Sequence, residues 1–156
     1  MTSSLAVVRR PRPVTVTVGL LVFLALSAVA GGIGLIDGGI SDQFPADWLD
    51  RLPLIDSWLI PGLVLGVGFG LGSFVAAYGM LTLRGGPRPA AALRWTGHHW
   101  SWSATIALGV GQVVWIALEL IYLPGWSWLQ VIYGGIGVAL AVLPLLPAVS
   151  AHLRRP

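Results

Sequence analysis

The sequence predicts an all-α membrane protein: a four-transmembrane-helix bundle with a short interfacial helix in the first outer loop. Two observations carry this. The chain has 156 residues, of which 56% are hydrophobic and only 10% charged, against roughly a quarter charged in soluble domains. Its apolar residues also gather into four stretches, at residues 14–36, 57–83, 100–123 and 129–149. Each is close to the ~20 residues needed to cross a hydrocarbon core of about 30 Å. The connections are short, so residues 1–156 read as a single integral membrane domain.

The first stretch, "VTVTVGLLVFLALSAVAGGIGLI", follows "RRPRP". Basic residues beside an apolar span mark its cytoplasmic end. A cleaved signal peptide is the rival reading, since "SAVAGG" offers small residues for cleavage, but the apolar run exceeds the usual ~7–15 residues of such a core. In the loop that follows, "FPADWLDRLP" predicts a short helix started by Pro45 and ended by Pro53. Phe44, Trp48 and Leu52 recur every four residues, with Asp47, Asp50 and Arg51 off that face, as expected of a helix lying in the interface.

The second, third and fourth spans complete an even number of crossings. Arg9, Arg10, Arg12, Arg84, Arg88, Arg94, Arg154 and Arg155 then share one side, leaving only Arg51 on the other. That bias predicts both termini in the cytoplasm of a bacterial plasma membrane. Trp48, Trp58, Trp126 and Trp128 fall near the outer boundary, and Trp95, Trp100 and Trp102 near the inner one, where amphipathic rings are favoured. Trp115 alone lies within a span.

Cysteine is absent, which excludes thiolate catalysis, disulfide exchange and thiolate metal sites. All nine basic residues are arginine, and with the abundance of Ala, Gly, Val and Leu this composition fits a GC-rich bacterial genome. The arginines flank apolar spans, so the basic balance records topology and does not point to nucleic acid.

Lipid removes most of the hydrophobic drive for helix association, and close packing then relies on small residues. Gly62, Gly66 and Gly70 recur at four-residue spacing, with Gly68, Gly72 and Ala76 in an adjacent row. Ser103, Ala107 and Gly111 form a similar row in the third span, and Gly134, Gly135 and Gly137 lie in the fourth. A phosphate-cradling loop in "GVGFGLGSF" is excluded by the missing strand, lysine and hydrophilic setting.

The candidate functional residues centre on Glu119, the only glutamate and the only acid within a span. Ser101, Thr105, Leu108, Gln112, Trp115, Glu119 and Tyr122 follow alternating steps of four and three, which places them on one helical face. Such a face is expected to look into the bundle, a protomer interface or a water-filled cavity. Pro124 sets Glu119 about one turn, roughly 6 Å, from the outer end of its span. Arg51, the lone base on that side, is the expected ionic partner. The stripe has two readings: a proton or cation site lined by Gln112, Trp115 and Tyr122, or interhelical glue with an interfacial anchor.

The remaining polar clusters carry less. His98 and His99 in "RWTGHHWSW" diverge by about 100° on a helix, and His152 can approach them only if the third and fourth spans are neighbours. The outer aspartates Asp37, Asp42, Asp47, Asp50 and Asp56 lack the ordered spacing of a Ca²⁺ loop. Ser73 in "LGSFV" is not in a nucleophile elbow. No catalytic, cofactor-binding or metal-ligating residue is assigned, and no cofactor is expected.

The outer loop ending "DSWLIPGLVLGVGFG", the Arg-containing inner loop and the fourth span opening "LQVIYGGIG" resemble small four-helix actinobacterial integral membrane proteins of unknown function, and more remotely the DoxX-like group. That group includes proteins associated with quinone-linked redox chemistry, but no residue here carries that activity across; a redox subunit binding quinone or haem near His98, His99 and His152 is the third reading. A structural or accessory membrane subunit is the first reading, and a small transporter or channel subunit using the Glu119 stripe is the alternative. The expected partners are the lipid bilayer and further copies or subunits in a membrane complex.

Overall fold

The computed structural model describes residues 10–40, 42, 44–53, 55–83 and 96–154. Arg9, Arg84, Arg88, Arg94, Trp95 and Arg155, which entered the topology argument, lie outside them. Among the described residues four helices are long and apolar enough to cross a membrane: α1 (Arg12–Asp37), α2 (Leu59–Thr82), α3 (Trp100–Tyr122) and α4 (Trp128–Leu145). A short terminal helix, α5 (Pro147–Leu153), follows. The protein is a multi-pass, all-α membrane protein in contact with the lipid bilayer.

Local chemistry sets the ends of these helices. Pro13 sits in the first turn of α1, where its missing N–H costs no helical bond, and Gly38 closes the helix in the left-handed region at φ 78°. At the start of α4 the Gln130 side-chain oxygen accepts the Ser127 N–H at 2.9 Å, and Ser127 Oγ accepts the Leu129 N–H at 3.2 Å. This reciprocal cap satisfies donors that the first turn would otherwise leave bare.

Three elements differ from the sequence expectation, the first being α2, whose middle, Val64–Leu71, winds as a π-helix. The connection between α1 and α2 does contain a short helix, but Ala46–Arg51 winds as a 3-10 helix. At three residues per turn it does not sustain the four-residue stripe of Phe44, Trp48 and Leu52. Phe44 packs edge-on against Trp48 and Trp58 instead, with ring centroids 6.2 and 5.7 Å away. The fourth span ends at Leu145 and does not continue to residue 149. Pro147 forces Leu146 out of the helical region, to φ −60° and ψ 138°, and α5 starts afresh. The indole N–H of Trp102 donates to Pro144 O at 2.8 Å, satisfying a carbonyl at this break.

α1 packs along α2, and α3 packs most extensively on α4. Both pairs meet backbone to backbone. A methyl group added at Gly32 would lie 2.6 Å from Gly62 O and 2.8 Å from Gly66 Cα, and one at Gly109 would lie 2.7 Å from Gly137 O. Gly109 belongs to none of the small-residue rows that stand out in the sequence. Leu21, Leu24, Ala76, Met80 and Leu140 form the fully buried centre, while Leu26, Val67, Val110 and Val138 point outward, as the lipid-facing side of a span requires.

Candidate functional site

The polar stripe of α3 turns inward. Ser101, Thr105 and Gln112 are buried, and Trp115, Glu119 and Tyr122 are half-buried. Near the α3 N-terminus these side chains are satisfied locally: Thr105 Oγ1 donates to Ser101 O at 2.7 Å. Nearer the other end the pattern changes. Glu119 Oε1 accepts the Trp115 indole N–H at 2.6 Å, one turn back along the same helix. Gln112 is 2% exposed, and its side-chain oxygen has no hydrogen-bond partner among the described residues.

Two chambers meet at this end of α3. One, of about 210 Å³, lies between α1, α3 and α4 and is lined by Ser27, Ala28, Gln112, Trp115, Glu119 and Tyr133 among others. The second, of about 300 Å³, lies between α2, α3 and the preceding connection, against Pro53, Trp58, Pro61, Trp115, Glu119 and Tyr122. Phe44, Trp115 and Glu119 line both. The hydrogen-bonded Trp115–Glu119 pair therefore stands between the chambers, and Phe69 of α2 braces the indole edge-on at 6.0 Å.

The chambers end within the bundle. Leu24, Ala28 and Gln112 lie at the deep side of the first, and beyond them Leu21, Thr105, Met80 and Leu140 are fully buried. Among the described residues Glu119 is the only charged side chain on either lining, and the other walls are mostly apolar. Arg51, its expected partner, is exposed at the end of the 3-10 helix, and no Arg51–Glu119 ion pair forms among the described residues. The indole one turn away takes the carboxylate oxygen instead, because an i, i+4 neighbour needs no loop to be ordered over the bundle.

At the opposite end of the bundle, the histidines do structural work. The His98 ring stacks on Trp102 at 4.5 Å and 16°, and its Nε2 is 2.8 Å from Ser150 Oγ. The His98 Nδ1 lies 2.5 Å from Thr96 O, so the ring donates there and accepts from Ser150. The His99 N–H donates to Leu153 O at 2.7 Å, and its Nδ1 caps α3 by accepting from Ser101 N. These bonds tie the start of α3 to α5 through Ser150 and Leu153. His152 is not part of that contact; among the described residues its buried Nε2 has no partner, and no group of three His, Asp or Glu is placed to hold a metal ion.

No protein-family model, curated protein or solved structure matches the chain. The site is therefore defined by its own chemistry. Phe44, Ser27 and Tyr133 were not identifiable as site residues from the sequence, because each belongs to a different element from the stripe. From the sequence Phe44 reads only as part of the apolar face of the loop helix, with Trp48 and Leu52. Tyr133 reads as one aromatic in an apolar span until its ring is found stacked against Phe23, 6.2 Å away.

Proposed function

We propose that the protein binds a small lipophilic solute in the paired chambers around Trp115 and Glu119, as a small transporter or transporter subunit of a bacterial plasma membrane. The chambers face the extracytoplasmic side in this reading, from the arginine bias of the sequence. One observation carries it: the stripe residues make no interhelical side-chain hydrogen bond among the described residues. Glu119 bonds within its own helix, the Gln112 oxygen is unpartnered, and both line chambers. Interhelical glue would have consumed those groups, because a buried polar atom without a partner costs roughly 1–3 kcal/mol. Apolar walls with a few convergent polar groups are the usual make-up of a small-molecule site. At 210 and 300 Å³ the chambers suit a ligand at or below the lower end of drug size.

The solid packing beyond Gln112 fits a carrier closed on one side and not an open channel. The test is saturable binding of eight-carbon amphiphiles, octylamine and octanediol, to protein in phosphatidylcholine nanodiscs. Ala28→Phe, which fills the first chamber, should abolish it; binding that never saturates above empty discs refutes the reading. Orientation is checked separately. The chain has no cysteine, so a single Asp47→Cys should react with an impermeant maleimide on intact cells, and Arg154→Cys only after permeabilisation.

An accessory, purely structural role is the second reading. The exposed glycines Gly68 and Gly135 favour it, since neither meets a neighbouring helix and both leave room for one. A stable partner recovered by crosslinking in native membranes supports that role, and a solitary monomer refutes it.

A further inference from the structure

The chambers also specify the charge of their solute. Among the described residues Glu119 is their only charged side chain, and its second carboxylate oxygen accepts no hydrogen bond. An apolar wall disfavours a lone ionised carboxylate, and a cation placed beside it removes that penalty while forming a charge-assisted hydrogen bond. Two turns deeper on the same face is the Gln112 amide, nearly fully buried and unpartnered at its oxygen. Seven residues at ~1.5 Å each separate the two groups by roughly 10 Å along the axis. Between them the wall is Leu24, Ala28, Leu65 and Ile116.

We propose that the ligand is a protonated lipophilic amine carrying a hydroxyl or second N–H at its far end. The ammonium group binds Glu119 Oε2, the apolar chain fills the space between, and the distal donor meets the Gln112 oxygen. This rests on the solute-binding reading above and adds the ligand's polarity to it. An anion is rejected by Glu119, and a phospholipid headgroup would bring its phosphate against the same carboxylate, so the occupant is a free amine.

The experiment uses the full chain in phosphatidylcholine nanodiscs, whose lipid has no N–H to compete, titrated calorimetrically against empty discs. The probes are the eight-carbon amino alcohol with its groups at opposite ends, the matching diol, octylamine, and the matching hydroxy acid. The amino alcohol should bind about tenfold or more tightly than the diol, the difference made by one charge-assisted bond. Octylamine should be weaker than the amino alcohol, and the hydroxy acid should not bind. Glu119→Gln should erase the preference for amine over diol, and Gln112→Leu the preference for amino alcohol over octylamine. Diol binding equal to the amino alcohol overturns the inference while leaving the solute-binding reading standing; no saturable binding of any probe overturns both. The comparison among probes on the unmodified protein decides the matter even if a variant fails to fold.

Discussion

Replacing Gly109 with alanine should loosen the α3–α4 pair, and the size of the effect follows from distances. The new Cβ would meet Gly137 O and Leu140 C at 2.7 Å, with Ala141 N closer still. All three are backbone atoms, so no side chain can swing away to make room. Ordinary contact needs about 3.5 Å, and Ala141 N is the nearest atom, so α4 has to retreat by about 1 Å along this seam. Overpacking of this kind costs about 1–3 kcal/mol, which shifts the unfolding equilibrium by about fivefold to a hundredfold. Gly135→Ala is the matched control. That position has nothing within 4 Å, and the greater helix propensity of alanine makes the change neutral or stabilising by up to about 1 kcal/mol. The assay is reversible unfolding of α-helical ellipticity by sodium dodecyl sulfate in mixed micelles, run on both variants beside the unmodified protein. If Gly109→Ala is as harmless as Gly135→Ala, the helices do not meet backbone to backbone at Gly109, and the packing account of this pair is wrong.

Further outcomes concern the site and its supports. In a double-mutant cycle for stability, Trp115→Phe and Glu119→Leu should couple by about 0.5 kcal/mol or more, as hydrogen-bonded neighbours do. Arg51→Ala and Glu119→Gln should add independently in the same measurement, and coupling between them would restore the ion pair that the geometry does not show. Ser127→Ala, which removes the side-chain cap of α4, should cost about 1 kcal/mol in the detergent unfolding assay. Trp102→Phe keeps a ring beside His98 but loses the bond to Pro144 O. It should destabilise by about 1 kcal/mol, with faster amide exchange around Leu146 as its local signature.

Much of the architecture was legible because it depends on local pattern and on the solvent. Four long apolar runs have one stable solution in a bilayer, which is to be helices that satisfy their own backbone, and all four are present. The helix break at Leu146 was equally written in the chain, since Pro147 acts on its immediate neighbour, although the expected span to residue 149 ran past it. The 3-10 winding of Ala46–Arg51 was not, because a six-residue segment between prolines is short enough for ring contacts of Phe44, Trp48 and Trp58 to choose its pitch. Glycine spacing named candidates without assigning partners. Gly109, outside the rows singled out from the sequence, makes one of the closest approaches, whereas Gly68 meets no other helix.

For the site, the sequence by itself determined that Glu119 lies near one end of its span on a face with Gln112, Trp115 and Tyr122, because a helix of fixed pitch converts spacing into a shared face. It also determined which chemistries are missing, through the absence of cysteine and lysine. Only the tertiary structure decided what that face meets. Partner choice depends on the approach of α1, α4 and the connection before α2, none of which is local in sequence. Their meeting leaves two chambers divided by Trp115 and Glu119, gives the carboxylate an indole in place of Arg51, and leaves the Gln112 oxygen buried without a partner among the described residues.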